Sequence, residues 1–341
     1  MNIIAVVVTY GNRFNFLQKV IASCLDEGVN KVVVVDNNSK RESKRKLMEL
    51  ESEIGDKLEV MYLDINTGSS GGFKTGIETA LKDIKCEFIW LLDDDNKPEP
   101  RSLEILKEYW LSLKKIDKQN NTALLSYRPK KANIGYLEAV LNKNPDLVLG
   151  GRINSFLGFH LIDLPTKIIK KLMAQKQNKT ELDNNIGLVS VAPYGGLFFH
   201  KHLIQMIGFP DESYFVYADD HEWSYRITKY GGEIILLQES SIEDIDVSWN
   251  SRTQYKTHFM LLIKGMKSKV YYSTRNRMFF EILNRVDSKF VYYCNIITYS
   301  LILFFFSLIH LRITNYKIFL RAIKDGWLKN KNKAAYAKCF E

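Results

Sequence analysis

The chain is poor in cysteine and shows no cysteine pairing pattern. Its 341 residues include only four cysteines, which lie far apart and form no CxxC pair. A disulfide framework or a zinc site is therefore not expected, and a reducing cytosol suits such a chain. The first nine residues also lack the basic region and the small-residue cleavage site of a signal peptide, so we expect them to form a strand.

No nucleic-acid-reading motif accompanies the basic charge of the chain. Lys and Arg number 48 against 39 Asp and Glu, which gives a formal net charge of +9. This charge favours a polyanionic partner, such as nucleic acid, nucleotide phosphates or an anionic membrane. Because the basic residues are scattered and no DNA- or RNA-binding motif is present, we do not expect a nucleic-acid-binding protein.

Apolar β-branched runs alternate with amphipathic segments over the first 127 residues. The pattern predicts four strands, at 3–8, 31–35, 58–63 and 88–92, each followed by a helix, at 14–25, 43–54, 73–81 and 103–113. Near-continuous apolar strands are typical of a parallel sheet with helices on both faces, so the fold class is predicted to be α/β. Further on, a helix is expected to start near Asp219, and a last core strand is expected at 233–237.

Polar residues follow each of the four predicted strands, at 9–13, 36–39, 66–72 and 93–95. Because the carboxyl ends of parallel strands meet at one edge of a sheet, we expect these residues to form one site. The segment 68–75 differs at one position from a phosphate-binding P-loop, which would need glycine where Phe73 stands. A P-loop NTPase is therefore one alternative, and a sugar nucleotidylyltransferase is another.

Two groups of carboxylates carry the predicted chemistry. Asp93, Asp94 and Asp95 end a buried strand, and three adjacent carboxylates there call for a cation, which predicts Mn2+ or Mg2+. A solvated acidic turn is the alternative, because prolines follow closely. In the second group, Asp219 or Asp220 is expected to cap a helix, and Asp220 is favoured as a general base.

In chain order, these motifs resemble those of a family 2 glycosyltransferase of the GT-A fold, and most closely those of bacterial rhamnosyltransferases and galactofuranosyltransferases. The resemblance spans residues 3 to 285 and rests on Val-Val-Thr-Tyr-Gly-Asn-Arg (7–13), Val-Asp-Asn-Asn-Ser (35–39), Asn-Thr-Gly-Ser-Ser-Gly-Gly (66–72), Asp-Asp-Asp (93–95), Tyr-Gly-Gly (194–196), Asp-Asp-His-Glu-Trp (219–223), Arg226 and Arg275-Asn276. It implies a GT-A fold with a Rossmann-like, mostly parallel central sheet flanked by helices. The implied catalytic domain covers residues 1–250, with a nucleotide-sugar-binding half, 1–127, and an acceptor-binding half, 128–250.

The resemblance also implies a role for each motif residue. The donor would be bound by Thr9, Tyr10, Arg13, Asp36, Asn66, Gly71, Gly72 and Asp94, and the acceptor by Tyr194, Gly195, Gly196, Asp219, Glu222 and Trp223. Asp93 and Asp95 would hold the metal that bridges the donor diphosphate, and Asp220 would be the base of an inverting displacement. Such enzymes often add a histidine ligand after the last core strand, where this chain has none, so Asp246 is expected to replace it, with Asp244 as the alternative.

The resemblance further implies the substrates. The expected donor is a nucleotide sugar, with UDP-galactofuranose and dTDP-rhamnose as the leading candidates. The expected acceptor is a hydroxyl of a cell-surface polysaccharide or of a lipid-linked oligosaccharide. Assembly into a homo-oligomer is left open.

The C-terminal region, 251–341, is expected to be helical and to associate with a membrane. Residues 290–311 contain no Asp, Glu, Lys or Arg, and about twenty apolar residues are enough to cross a bilayer. However, basic residues lie on both sides of this segment, and both flanks would prefer the cytoplasmic side. We therefore expect an in-plane or re-entrant helix pair at the cytoplasmic face of the membrane, with a buried core helix as the alternative.

Overall fold

The computed structural model describes residues 1–114, 121–129, 134–164, 186–246 and 258–328. Its contacts divide the chain into two compact units. Unit 1 comprises Met1–Val148, Asn184–Phe215 and Asp219–Asn250, and unit 2 comprises Leu149–Asp183, Val216–Ala218 and Ser251–Glu341. Two segments from within the predicted 1–250 domain therefore group with the C-terminal region.

Unit 1 is built around a nine-stranded sheet. Its strands are β1 (Ile3–Thr9), β2 (Lys31–Asp36), β3 (Leu58–Tyr62), β4 (Phe88–Asp93), β5 (Asn96–Pro98), β6 (Thr122–Tyr127), β7 (Ile186–Val189), β8 (Leu197–His200) and β9 (Glu233–Asp244). Its helices are α1 (Phe14–Asp26), α2 (Arg41–Ile54), α3 (Gly68–Lys82), α4 (Ser102–Lys114), α5 (Ile134–Leu141), α6 (Leu203–Ile207) and α7 (Asp219–Lys229).

The strands follow the order β3-β2-β1-β4-β8-β6-β9-β5, and β7 pairs with β9. The first four strands are parallel to one another, β8 is antiparallel to both of its neighbours, and β6 is parallel to β9. The chain therefore runs outward from β1 to β3 and then returns to the other side of β1 at β4. The carboxyl ends of β1 and β4 lie side by side at this reversal, which is where open α/β sheets bind their ligands. The predicted α/β fold class is confirmed.

Both faces of the sheet are covered by helices, as the continuous apolar strands predict. All seven residues of β1 are buried, and successive side chains point to opposite faces of a strand. One core contains residues of α3 and α7, and the other contains residues of α1, α2 and α4. Because α3 and α7 share one face of the sheet, residues at their N-termini can meet.

The glycine-rich segment is the first turn of α3, which starts at Gly68 and not near Phe73 as the sequence predicts. A Cβ atom on Gly72 would lie 2.6 Å from Val8 Cγ1, and one on Gly71 would lie 2.5 Å from Thr67 Cβ. Both residues are buried. The missing side chain of Gly72 lets α3 pack closely on β1, and that of Gly71 leaves room for Thr67. The donor-binding role of Gly71 and Gly72 stays a prediction.

Among its described residues, unit 2 contains four α-helices: α8 (His258–Lys264), α9 (Lys267–Asn284), α10 (Lys289–Ile309) and α11 (Ile313–Trp327). They pack around an apolar core that includes Phe156 from the Leu149–Asp183 segment. The apolar segment predicted at 290–311 forms the single helix α10. By length and composition alone, α10 is long and apolar enough to cross a membrane.

Candidate active site

Arg13 joins three carboxylates at the carboxyl ends of the central strands. Its Nε donates to Asp94 Oδ1 and Oδ2 at 2.8 and 2.9 Å, and its Nη1 donates to Asp246 Oδ2 at 2.5 Å. Its Nη2 lies 3.5 Å from Asp95 Oδ2. The Thr9 hydroxyl also donates to Asp94, at 2.7 Å. The predicted need for a metal to neutralise the triplet is therefore met in part by an arginine of the chain itself.

Burial changes the ionisation of Asp94. Its pKa is raised to about 7, because desolvation of the carboxyl outweighs the opposing effects of Arg13 and the Thr9 hydrogen bond. Beside this group, the guanidinium carbon of Arg13 lies 5.7 Å from the ring centre of Tyr10, whose side chain is exposed. Of the predicted donor-binding residues, Thr9, Arg13 and Asp94 therefore form one hydrogen-bonded group, and Tyr10 stands at its rim.

Arg128 is a second buried cation at this edge, and the sequence analysis missed it. It follows β6, and its Nε donates to Asp244 Oδ1 at 3.1 Å, while its Nη1 lies 3.5 Å from Asp93 Oδ2. Asn96 Nδ2 donates to the same Asp244 oxygen at 3.0 Å. The only signal in the sequence was a basic residue just after a strand, which is too common to single out. Asp93 differs from its neighbours in the triplet because its side chain is 38% exposed.

Asp36, at the end of β2, is completely buried, and its two carboxylate oxygens differ in their partners. Its Oδ1 accepts from the Ser39 backbone N–H at 2.8 Å, and its Oδ2 is buried without a hydrogen-bond partner among the described residues. A buried oxygen of this kind is stabilised when a ligand N–H or O–H reaches it. Asn66, by contrast, accepts from the Gly68 N–H at 2.8 Å and so shapes the start of α3.

The second group of carboxylates lies at the N-terminus of α7. Asp219 is the first residue of this helix and is buried, and its Oδ2 accepts from the Ser69 hydroxyl at 2.6 Å. Burial, followed by repulsion from Asp220, raises the pKa of Asp219 to about 8, and the charge of Asp93 adds to the rise. Both carboxylate groups belong to unit 1, and the charge of Asp93 is among those that act on Asp219. Asp220 is less buried, and its Oδ1 accepts from the His221 N–H at 2.8 Å.

Two tyrosine hydroxyls line the same region. Burial and the charge of Asp220 raise the pKa of Tyr136, and the charge of Arg128 opposes this rise. Burial and the charges of Asp219 and Asp220 raise the pKa of Tyr194. Neither hydroxyl has a hydrogen-bond partner within the described ranges. The sequence analysis named Tyr194 but not Tyr136, since α5 carries no motif.

The glycine pair after Tyr194 lies directly over the second cation. A Cβ atom on Gly195 would stand 1.9 Å from Asn96 Oδ1 and 2.6 Å from Arg128 Nη1, so only glycine fits there. Gly196 has a φ of +101°, which L side chains rarely adopt. Gly195 therefore packs against Asn96 and Arg128, and Gly196 packs against Ser126 and Ile242.

Two residues with predicted acceptor-binding roles are engaged elsewhere. Glu222 forms a bidentate pair with Arg226, with N to O distances of 2.9 and 2.6 Å. Trp223 is completely buried, and its Nε1 donates to the Gly208 carbonyl at 2.9 Å. Glu222 is therefore paired within α7, and Trp223 anchors α7 to the core. Their predicted contact with the acceptor is not supported by these positions.

The turn that leads into α7 is strained. Tyr217 and Ala218 have φ values of 66° and 59°, which residues other than glycine rarely adopt. Within unit 2, the Asn276 side-chain amide donates to the carbonyls of Val216 and Tyr217 at 2.7 and 2.9 Å. Asn276 therefore fixes the backbone directly before Asp219.

The predicted metal ligands do not form a three-ligand cluster. No group of three or more His, Cys, Asp or Glu residues within the described part of the chain is arranged to hold a metal ion. Asp246, the predicted replacement for the histidine, has its Oδ2 bonded to Arg13. The other two predicted ligands have longer contacts with arginines. Asp95 Oδ2 lies 3.5 Å from Arg13 Nη2, and Asp93 Oδ2 lies 3.5 Å from Arg128 Nη1.

Comparison with known proteins identifies the first part of this fold. Residues 5–118 match the family model described as Glycosyl transferase family 2. This segment contains most of β1 and all of β2 to β4, together with the Arg13 site and the acidic triplet. The predicted family is therefore supported for this segment of the chain. The finer resemblance to rhamnosyltransferases and galactofuranosyltransferases stays a prediction.

Solved structures resemble the chain over more of its length. A crystal structure of GalNAc-T7 with UDP, GalNAc and Mn2+ has a TM-score of 0.50 and 15% identity, with 82% of this chain and 51% of that chain covered. A crystal structure of S. aureus TarS 1-349 in complex with UDP has a TM-score of 0.47 and 14% identity, with coverage of 85% and 67%. The chain thus spans about half the length of the GalNAc-T7 chain, and at this identity the similarity shows the fold alone. Sequence comparison with curated proteins gives no match.

Proposed function

We propose, from the premise that residues 5–118 belong to a glycosyltransferase family 2 domain, that the chain is an inverting, metal-dependent glycosyltransferase. It transfers a sugar from a nucleoside-diphosphate sugar to a hydroxyl of a cell-surface polysaccharide or a lipid-linked oligosaccharide. UDP-galactofuranose and dTDP-rhamnose remain the leading donors. The presence of UDP in the GalNAc-T7 and TarS structures supports a nucleotide-sugar donor.

One electrostatic relationship carries the proposal. The charge of Asp93, at the end of β4, raises the pKa of Asp219, at the start of α7. The donor-diphosphate site at Asp93 and the candidate base Asp220, next to Asp219, are therefore assigned to one site. A displacement at the anomeric carbon requires this arrangement, because the leaving diphosphate and the attacking hydroxyl both act on that atom.

On the donor side, the chain offers an acceptor oxygen and an aromatic edge. Asp36 Oδ2 is positioned to accept a hydrogen bond from the nucleobase or the ribose, and this bond would satisfy the buried oxygen. Tyr10 is exposed at the same edge and offers a ring surface to the base. Arg13 and Thr9 hold Asp94 in place beside the donor site.

The residues fit a divalent cation with two protein ligands. Asp93 has an exposed carboxylate, and Asp95 follows it in the same turn, so these two residues would hold Mn2+ or Mg2+ together with diphosphate oxygens. Bound there, the ion would neutralise charge on the leaving diphosphate. Asp246 is assigned as a hydrogen-bond partner of Arg13 and not as a metal ligand, because its Oδ2 accepts a guanidinium hydrogen bond at 2.5 Å.

Asp220 is assigned as the general base. It is more exposed than Asp219, so it can reach an acceptor hydroxyl, and it takes the proton as that oxygen attacks. Asp219 keeps a proton near neutral pH, since its pKa is raised to about 8, and it is therefore suited to orient its neighbour. The charges of both Asp220 and Arg128 act on the Tyr136 hydroxyl, which therefore belongs to the surroundings of the base.

The proposal is tested with the purified chain and a panel of nucleotide sugars in the presence of Mn2+. Release of nucleoside diphosphate that depends on one donor supports it, and the Asp220→Asn variant should release it about 10²–10⁴-fold more slowly. Release of inorganic phosphate from ATP or GTP would instead indicate an NTPase. Release of pyrophosphate from a nucleoside triphosphate and a sugar phosphate would indicate a nucleotidylyltransferase.

The structure weakens the NTPase alternative in a specific way. The segment 68–75 lies in the first two turns of α3 and does not form a separate phosphate-wrapping loop. Lys74, which would contact the phosphates of a P-loop, donates instead to Glu212 Oε2 at 3.1 Å. Phe73 is buried and stacks on Tyr194 with ring centres 4.2 Å apart.

A further inference from the structure

Helix α10 has one exposed apolar face. Its outer stripe consists of exposed side chains that recur every three or four residues, which places them on one side of a helix. These residues are Phe290, Tyr293, Ile297, Leu301, Phe305 and Leu308. Scattered apolar residues on a surface need no explanation, but a continuous stripe along a 21-residue helix marks an interaction site.

The opposite face of α10 packs into unit 2 through polar and aromatic groups. Asn295 Nδ2 donates to the Asn154 carbonyl at 2.8 Å, and the Leu161 N–H donates to Asn295 Oδ1 at 2.9 Å. The Tyr292 hydroxyl donates to Glu281, a buried carboxylate that also pairs with Arg277. If α10 crossed a bilayer, this charged pair and the irregular backbone at Asn154 would enter the hydrocarbon, where both are costly. This packing favours a helix that meets the membrane with its outer stripe only.

The next helix provides cations beside the outer stripe. Residues 288–324 contain five basic residues and no acidic one. The exposed face of α11 combines basic and apolar side chains, namely Lys317, Leu320, Arg321, Lys324 and Trp327. The Tyr293 and Trp327 rings lie 5.9 Å apart at one end of the helix pair, and the Phe304 and Tyr316 rings lie 5.3 Å apart at the other. The two exposed faces therefore adjoin along the pair.

We propose that this face of unit 2 binds the surface of a bilayer that contains anionic lipids. Helix α10 lies in the plane of the interface with its outer stripe among the upper acyl chains, and the basic residues of α11 contact lipid phosphates. An apolar stripe, nearby Lys and Arg, and Trp and Tyr at the edge are the combination that interfacial helices use. Positive charge beside the stripe favours this partner over a second copy of the same basic chain. The proposal does not depend on the enzymatic activity.

The test uses the full chain and co-sedimentation with vesicles. Phosphatidylcholine vesicles with phosphatidylglycerol should bind the protein, phosphatidylcholine vesicles alone should bind it weakly, and high salt should weaken binding by screening. The Leu301→Glu variant should bind the anionic vesicles about tenfold or more weakly. Leu283→Glu is the matched control, because Leu283 is 52% exposed on α9 in the same unit while Leu301 is 53% exposed. Equal thermal unfolding of the two variants shows that any difference comes from the surface.

Three results would overturn the proposal. The first is equal binding of the two variants, or equal binding of the wild type to both vesicle types. The second is a dimer in lipid-free solution that Leu301→Glu converts to a monomer, because a second copy would then cover the stripe. The third is resistance of the vesicle-bound protein to alkaline carbonate, which would indicate that α10 crosses the bilayer. Full extraction by carbonate supports the in-plane placement.

Discussion

Arg13 Nε donates to both carboxylate oxygens of Asp94, at 2.8 and 2.9 Å, although the two residues are 81 positions apart in the chain. The same guanidinium group contacts two further carboxylates, so one cation connects the turn after β1, the end of β4 and the segment after β9. A flexible ammonium group could not replace it, because only a planar guanidinium offers this many fixed donors.

Replacing Arg13 by alanine should destabilise the protein strongly. The change leaves buried carboxylates without their cation, and the loss of one partner from a buried ion pair costs about 3–5 kcal/mol. Chemical denaturation of the variant measures this loss. The control is Arg45→Ala, which removes an exposed pair with Glu49 on α2 and should change stability little. Similar stabilities for the two variants would contradict the assigned role of Arg13.

Replacing Asp220 by asparagine should remove transfer while donor binding persists. Asparagine keeps the shape of the side chain but cannot take a proton, and loss of a general base lowers kcat by about 10²–10⁴-fold. Calorimetric titration with the donor measures binding, and nucleotide release measures turnover. A variant that loses donor binding and turnover together would show that Asp220 belongs to the donor site.

Removing the carboxylate of Asp93 should abolish the effect of metal on donor binding. Wild-type protein should bind the donor more tightly with Mn2+ than without it, because the ion joins protein carboxylates to the diphosphate. The Asp93→Ala variant should bind equally weakly in both conditions when titrated calorimetrically. Asp56→Ala serves as the control, since Asp56 is an exposed aspartate in the turn before β3, at the opposite edge of the sheet. Equal donor binding by the wild type with and without Mn2+ would contradict the metal assignment.

The raised pKa of Asp219 predicts a pH dependence of stability. A carboxyl group with a folded-state pKa near 8 binds its proton more tightly in the folded than in the unfolded chain. Its contribution to stability is therefore complete below about pH 4 and is lost as the pH rises through about 8. Thermal unfolding of the wild type should weaken between pH 5 and 9 more than that of Asp219→Asn. Part of the decline should remain in the variant, because the pKa of Asp94 is raised as well. Identical pH profiles for the two proteins would contradict the assignment.

Asn276 should support catalysis through the backbone that leads to the carboxylate pair. Its replacement by alanine leaves two carbonyls without their donor, at a cost of about 1–3 kcal/mol, and releases a turn with two positive φ angles. We expect a lower kcat with little change in the KM for the donor. Asn284→Ala is the control, since Asn284 donates to the Phe280 carbonyl within its own helix. A loss of stability in Asn276→Ala with an unchanged kcat would indicate a purely structural role.

The strands and the sheet edge could be predicted from local pattern. The run 88–92 was expected as a strand, and β4 occupies Phe88–Asp93. The expectation succeeded because a strand buried on both faces must be apolar at nearly every position. The same rule located the acidic triplet at the ligand-binding edge.

Long-range partners could not be predicted in this way. Arg13 and Asp246 are 233 positions apart, and the sequence around each residue does not indicate that they form a hydrogen bond. Arg128 was missed for the same reason. The prediction for the glycine-rich segment was wrong for a different reason. Adjacent glycines are typical of loops, but here the close packing of α3 on β1 overrides that local preference.

Unit 2 joins distant parts of the chain, and this affects how the protein folds during synthesis. Phe156 is made early, yet its ring packs against Tyr292, Tyr299 and Phe319, which leave the ribosome much later. Contacts between such distant parts of a sequence form slowly, and apolar groups that wait for them are prone to aggregate. A nascent chain that stops before α10 should therefore hold Phe156 exposed and recruit chaperones, whereas the strand partners of its β1 to β4 half are already translated.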